Sequence, residues 1–300
     1  MLSVSRAEIE RTFAPFVTRS FEPADPEWRA LVRRNASRQR ARRRRRQWLG
    51  WLPRFRRTQQ TISDEYSRTW SEWSVEDQIT RGPVVPFVWG ERCMMARAIG
   101  AKRVHLLLLT RLVEALQPKT VLEVGSGNGL NLFVLAARLP DVRFFGVELT
   151  AGGVAAARAL ARQPALPPGL GGFCPDGVVA DRPFDRISVV RGSAADLPIA
   201  DRSMDLVFTV LALEQMEEIR PRALAEIARV TRGHVAMIEP FRDWNSEGAT
   251  RDYVVANDYF AGRIAELPGV GLEPVHATDD VPSKLALRAG LVVSRACAGG

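Results

Sequence analysis

Three glycines at alternate positions, Gly125, Gly127 and Gly129, follow a short apolar run, Val121-Leu122-Glu123-Val124. Glycines there let a ligand approach the backbone, and the amides opening the next helix supply hydrogen-bond donors. Glu148 stands 23 positions after Gly125, at the end of the next apolar run. A carboxylate at that point lies beside the same crevice and can accept from both hydroxyls of a ribose. The dinucleotide fingerprint needs a small residue where Leu130 stands, and Glu148 would repel a 2′-phosphate, so NAD and NADP are disfavoured. Glu214 and Gln215 follow a later apolar run at the edge where a second substrate must sit, although Glu214 at a helix start would also be ordinary. Tyr66, Trp70 and Trp73 form an aromatic cluster that could cover such a site or simply pack a helix against the body. The three histidines, His105, His234 and His276, read as packing or surface residues, and the three cysteines lack the spacing of a metal site.

To bring these residues together the chain must alternate strands and helices. Residues 121–124, 142–149, 187–190, 205–210 and 234–238 read as strands, and 272–277 with 291–296 as a closing pair. Helical stretches at 102–117, 130–139, 150–162, 213–218 and 221–232 separate them, with Pro118 and Pro140 as stops and Gly233 just past an end. Residues 164–183, dense in Gly and Pro, read as an insertion. This order predicts an α/β fold with a doubly wound, mostly parallel sheet.

The motif runs come in sequence. Glu123-x-Gly125-x-Gly127-x-Gly129 is followed by Phe144-Phe145-Gly146-Val147-Glu148, by Arg191 to Asp196-Leu197-Pro198, and by Met204-Asp205 to Phe208 with Leu213-Glu214-Gln215. Leu224 to Val230 then leads into Met237-Ile238-Glu239-Pro240. Over about residues 102–240 the chain resembles the class I S-adenosylmethionine-dependent methyltransferases, in particular their small-molecule branch. The resemblance implies a Rossmann-like methyltransferase fold with S-adenosylmethionine as cofactor. Carried over by position, Gly125, Gly127 and Gly129, with Glu123 of the same motif, would pass the methionine part. Glu148 would hold the ribose, and Ser193 with Ala194 would edge the adenine. The family usually carries Asp where Ser193 stands and often His where Gln215 stands.

Methyl transfer is an in-line displacement that alignment and desolvation can largely carry, and no general base stands out. Tyr66, Trp70, Glu214 and Gln215 are the candidates beside the acceptor. Strand four is followed by Leu211-Ala212-Leu213 rather than the sequence of amino-group DNA methylases, no cysteine suits cytosine chemistry, and no metal is expected.

The charge is concentrated at one end. The net charge is +8, yet residues 28–63 hold thirteen Arg and no acid, so the rest of the chain is mildly acidic. Trp48, Trp51 and Phe55 are interleaved with this arginine run, which suits an anionic membrane surface and, alternatively, RNA. Asp25-Pro26-Glu27 marks a helix start, but five adjacent Arg from Arg42 to Arg46 repel one another. Residues 1–63 are therefore expected to form an extension with a flexible basic arm. Residues 64–300 are expected to form the methyltransferase domain, with a helical lid over 64–117. With no export signal or apolar span, a cytoplasmic protein with peripheral membrane contact through residues 42–57 is expected. The acceptor is then a small molecule or a lipid- or glycan-linked one. The alternatives are an RNA methyltransferase tethered by the arm and a non-catalytic cofactor-fold binding protein.

Overall fold

The computed structural model describes residues 4–49, 58–72, 74–180 and 182–297. Near the N-terminus, Ser5 and Glu8 close a capping box that starts helix α1 (Arg6–Phe13). Strand β1 (Val17–Phe21) follows, and then helix α2 (Pro26–Leu49). Asp25 accepts from the Glu27 backbone at 2.8 Å, as the expected helix start requires.

The arm differs from expectation as far as Leu49, because it is an ordered helix rather than a flexible run. One face is fixed: Trp28 stacks on Phe21 at 5.5 Å, and Gln39 is buried. Further along, Arg43 and Arg46 each lie 2.8 Å from a carboxylate, Asp252 and Asp258 respectively. Acids more than 200 residues away thus relieve the repulsion that the arginine run would suffer alone. Residues 50–57 of the expected arm lie outside the described residues.

Helix α3 (Gln59–Glu72) starts on Thr58, whose hydroxyl accepts from the Thr61 backbone at 3.2 Å. The expected boundary at 63/64 therefore falls inside a helix. Helix α4 (Val75–Thr80) has its own capping box from Ser74 and Asp77. A hairpin of β2 (Val84–Trp89) and β3 (Arg92–Arg97) comes next, where the helical lid was expected. Pro86 is tolerated in β2 because the strand's outer edge is almost open, paired only by a two-residue strand opposite Phe87 and Val88.

Helix α5 (Ile99–Leu116) is buried all round from Val104 to Leu109, His105 included. The body then runs β4 (Thr120–Val124), α6 (Leu130–Arg138), β5 (Arg143–Glu148), α7 (Ala151–Ala161), α8 (Pro168–Phe173), β6 (Ile187–Arg191), β7 (Met204–Val210), α9 (Arg220–Val230) and β8 (Thr231–Glu239). Helix α10 (Gly248–Asn257), β9 (Leu272–Thr278), β10 (Ser283–Lys284) and β11 (Gly290–Ala296) complete it. Gly233, expected just past a helix end, sits inside β8, where a Cβ would run into the Asp205 carbonyl.

Seven strands form the main sheet in the order β6-β5-β4-β7-β8-β11-β9, with β6 to β8 parallel and β11 antiparallel to both neighbours. The first crossovers run outward in opposite directions from β4, so a crevice opens at its carboxyl end between β5 and β7. Alternate residues feed opposite faces. Val121, Leu206, Phe208 and Ile238 pack under α5 and α6, while Leu122, Val207, Val235 and Met237 pack against α9 and the 240–270 region. A second sheet, in the order β1-β3-β2-β10, lies in the N-terminal part.

Candidate functional site

The turn after β4 is tied to the next strand, since Gly125 and Ser126 donate to the Val147 carbonyl at 2.8 and 3.2 Å. Gly125 has φ 78° and Gly127 φ 55°, conformations that glycine adopts without strain. A Cβ on Gly125 would lie 2.7 Å from Ala212, and one on Gly127 would lie 2.8 Å from the Trp70 ring. Glu148, buried at the end of β5, accepts from Gly127 N at 2.9 Å through one oxygen. Its other oxygen accepts from Thr150 N and the Thr150 hydroxyl at 2.9 and 2.7 Å. The carboxylate is thus aimed across the turn with acceptor capacity remaining.

Below the turn, Glu123 is almost wholly buried. Its Oε1 accepts from Asn131 Nδ2 at 2.5 Å, and its Oε2 has no hydrogen-bond partner. Burial pushes Glu123 up to about 8, a rise that Lys102 and the Asn131 amide oppose. Lys102, near the start of α5, donates to Asn131 Oδ1 at 3.4 Å, and desolvation pulls its ammonium below the ordinary lysine range.

On the other side of the crevice, the backbone leaves β7 through Leu211 at φ 52° and enters a short 3₁₀ turn, Leu213–Gln215. Buried Glu239 accepts from the backbone of Ala212, Leu213 and Glu214 at 3.0, 3.1 and 3.2 Å. Its pKa rises to about 7 because burial outweighs those bonds. Glu214 and Gln215 are held against each other, with Gln215 Nε2 donating to Glu214 Oε1 at 2.9 Å.

Helix α3 lies across the crevice and packs on α7, with the Ser67 carbonyl 3.0 Å from where a Gly152 Cβ would stand. Tyr66 and Trp70 stack on each other at 5.8 Å, and the Trp70 ring sits on Gly127. These elements line a cavity of about 270 Å³. Tyr66, Trp70, Glu123, Gly125, Gly127, Glu148, Ala194, Glu214 and Gln215 all line it. Gly129 does not, because it packs behind the turn against Phe133. Ser193 does not either: its hydroxyl accepts from Ala195 N at 3.2 Å, and Gly192 lines the cavity beside Ala194. Trp73 lies outside the described residues.

Gln59, Gln78, Lys102, Asn128 and Asn131 also line the cavity, and sequence reasoning missed them. Lys102 carried one signal, as one of only three lysines in an arginine-rich chain. Among the described residues no histidine lines the cavity. His105 is buried in α5, and burial with nearby Lys102 pulls it down to about 3. Glu217 and Glu218 turn elsewhere, accepting from Ala261 N and Gln59 N.

The cavity suits S-adenosylmethionine. Gly125 and Gly127 leave no room for side chains, and Glu148 brings a buried carboxyl group to the cavity wall. Six buried polar atoms around the cavity lack protein partners: Gln59 Nε2, Trp70 Nε1, Gln78 Nε2, Asn128 Nδ2, Ser126 Oγ and Glu123 Oε2. So many unmet donors and acceptors in one buried space require a polar ligand or ordered water.

A family model described as a methyltransferase domain matches residues 122–238. No curated protein matches the sequence. Among solved structures, the 4+2 cyclase SpnF superposes with a TM-score of 0.53 at 17% identity, covering 81% of this chain and 97% of that one. A geranyl diphosphate C-methyltransferase from Streptomyces coelicolor gives 0.49 at 12% identity, over 78% and 97%. A SAM-dependent methyltransferase from Aquifex aeolicus gives 0.41 at 16% identity, over 62% and 88%. At such identities the first of these likenesses shows a shared fold and nothing finer.

Proposed function

Because the chain belongs to the class I S-adenosylmethionine-dependent methyltransferases, we propose that its acceptor is a small or lipid-linked molecule whose reactive end enters beside Glu214 and Gln215. The observation that carries this reading is the burial of Glu214 and Gln215. Glu214 and Gln215 are only 7% and 8% exposed, and α3 covers the cavity they share with the glycine turn. A slender molecule or a chain end fits such a space better than a duplex does.

When bound, S-adenosylmethionine supplies an electrophilic methyl group on a sulfonium. The chain's work is alignment and exclusion of water. Glu148 and the glycine turn orient the cofactor's ribose and amino-acid end, Trp70 and Tyr66 cover it, and Glu239 fixes the acceptor loop. Glu214 is the one titratable side chain in residues 211–215, so proton removal falls to it where the acceptor requires it.

The outer face of α2 supports a membrane-linked acceptor. Arg38, Arg40 and Arg44 are exposed there, and Trp48 is 80% exposed at the helix end. Guanidinium groups beside an indole suit anionic headgroups at a cytoplasmic bilayer surface. Incubating the protein with methyl-labelled cofactor and fractionated lipid, small-molecule and RNA extracts tests the reading. Label in the lipid or small-molecule fraction supports it, and label confined to RNA overturns it.

A further inference from the structure

We propose that Arg242, Arg251 and Arg263, joined by Arg43, form a subsite for a phosphoryl group carried by the acceptor. The proposal rests on the small-molecule or lipid-linked reading of the acceptor and adds one chemical group to it.

Placement is the first support. The chain after β8 and the chain after α10 run side by side: Arg242 N donates to the Gly262 carbonyl and Ile264 N to Asp243 Oδ2, both at 3.0 Å. Arg242 and Arg263 are therefore neighbours. Arg251 stands on α10 next to Asp252, to which Arg43 of α2 is bound at 2.8 Å. The loop between Asp258 and Arg263 is also strapped to the acceptor side, since Ala261 N donates to Glu217 at 2.8 Å, just past Gln215. The arginines gather one segment outward from Glu214 and Gln215.

Charge is the second support. Arg242 is 8% exposed and Arg251 is half-buried, and each has an Nη1 atom shut off from solvent without a hydrogen-bond partner. Among the described residues neither of them, nor Arg263, forms an ion pair. The nearby acids do not supply one. Asp252 is taken by Arg43, Asp243 accepts from the Ile264 amide, and Glu247, one turn before Arg251, pairs with nothing described. Burial first, and then the charges of Arg43 and Arg263, pull the Arg251 guanidinium below the ordinary arginine range, against the opposing effect of Asp252. A lysine so placed could shed its proton. A guanidinium cannot, so these cations call for an anion.

The kind of anion follows from the donors. Three guanidiniums outside any ion pair suit a multiply charged group with several oxygens. A phosphate monoester carries about 1.5 to 2 negative charges and three oxygens that the guanidinium fork matches. Arg263 is exposed and the Arg43 side chain is 40% exposed, so the patch is open to such a group.

The test titrates the full chain, saturated with S-adenosylhomocysteine, with inorganic phosphate and with monomeric dodecyl phosphate in a calorimeter. Both probes should bind saturably. Arg251→Gln and Arg263→Gln should each weaken both at least fivefold while S-adenosylhomocysteine affinity changes less than twofold, and the exposed position of Arg263 keeps its variant folded. Arg143→Gln, an exposed change at the start of β5 and so at the opposite edge of the sheet, should leave both probes within twofold of wild type. Dodecyl phosphate binding more than tenfold tighter than inorganic phosphate supports the subsite with a lipid-linked acceptor, and a smaller preference supports it with a soluble phosphorylated one. Binding that does not saturate, that survives both variants, or that falls as far in Arg143→Gln overturns the subsite and leaves the small-molecule reading standing. Label confined to RNA in the extract incubation overturns that reading, and the subsite with it.

Discussion

Glu239 holds Glu214 by its backbone: one carboxylate oxygen accepts the Glu214 N–H at 3.2 Å while the other takes Ala212 and Leu213. A buried carboxyl group at the end of β8 thus sets where the acceptor loop after β7 lies. Glu239→Ala would leave three buried N–H groups without partners, at a cost of about 3–5 kcal/mol. We expect urea denaturation to show that loss. Methyl transfer should fall at least tenfold while S-adenosylhomocysteine affinity changes little, because the loop is on the acceptor side.

The same residue predicts a pH dependence. Its pKa rises from the ordinary 4.5 to about 7, so the folded state favours the protonated carboxyl. Its contribution to stability is fully present below pH 4.5 and is lost as pH rises through 7, by on the order of 3 kcal/mol at most. Glu239→Gln cannot titrate. The stability difference between wild type and Glu239→Gln should therefore shift in favour of the variant between pH 5 and pH 8, and a difference that stays constant would refute the assignment.

Glu148 lines the cavity and accepts from Gly127 N at 2.9 Å. Glu148→Ala should weaken S-adenosylmethionine and S-adenosylhomocysteine binding by about 1.5–3 kcal/mol in isothermal titration. NAD should not bind either form. Equal affinity in wild type and variant would remove Glu148 from the cofactor site.

Gly127→Ala combines a left-handed backbone with a Cβ placed 2.8 Å from the Trp70 ring. The backbone part costs about 1–2 kcal/mol, and the steric part adds to it. In a Trp70→Ala background only the backbone part should remain. A double-mutant cycle in thermal or urea denaturation would show that coupling, and additive losses would mean the ring does not rest on the turn.

The outer face of α2 should bind anionic vesicles. Replacing exposed Arg38, Arg40 and Arg44 with Gln should sharply reduce co-sedimentation with phosphatidylserine vesicles, and rising salt should do the same. Trp48→Ala should remove the part that survives salt. Cofactor affinity should not change, since none of these side chains lines the cavity. Preference for RNA over vesicles at matched salt would redirect the reading of this helix.

The glycine turn, the alternating strands and Glu148 were legible because each is a local pattern: spacing, apolar period, and an acid at a strand end. The ordering of α2 was not, because it depends on Asp252 and Asp258, which nothing near Arg43 or Arg46 announces. The β2–β3 hairpin was hidden by Pro83, Pro86 and Gly90, which read as punctuation when the chain is seen without its neighbours. Ser193 was carried over by motif position, but the backbone turns its hydroxyl onto Ala195 and brings Gly192 to the cavity instead. Lys102 sat in a helix that looked wholly structural, and only the packing of α5 brings it to the carboxyl edge of the sheet.

The four-stranded N-terminal sheet takes its last strand from Ser283 and Lys284, which pair with Val88 and Phe87, and Arg6 reaches Asp280 at 2.7 Å. During synthesis the first hundred residues emerge long before that partner exists. One edge of β2 must wait, unpaired, until Ser283 and Lys284 have left the ribosome. Closure of this sheet is thus a late, long-range event, and a ribosome-stalled chain ending before residue 280 should expose that edge to proteases that spare the finished protein.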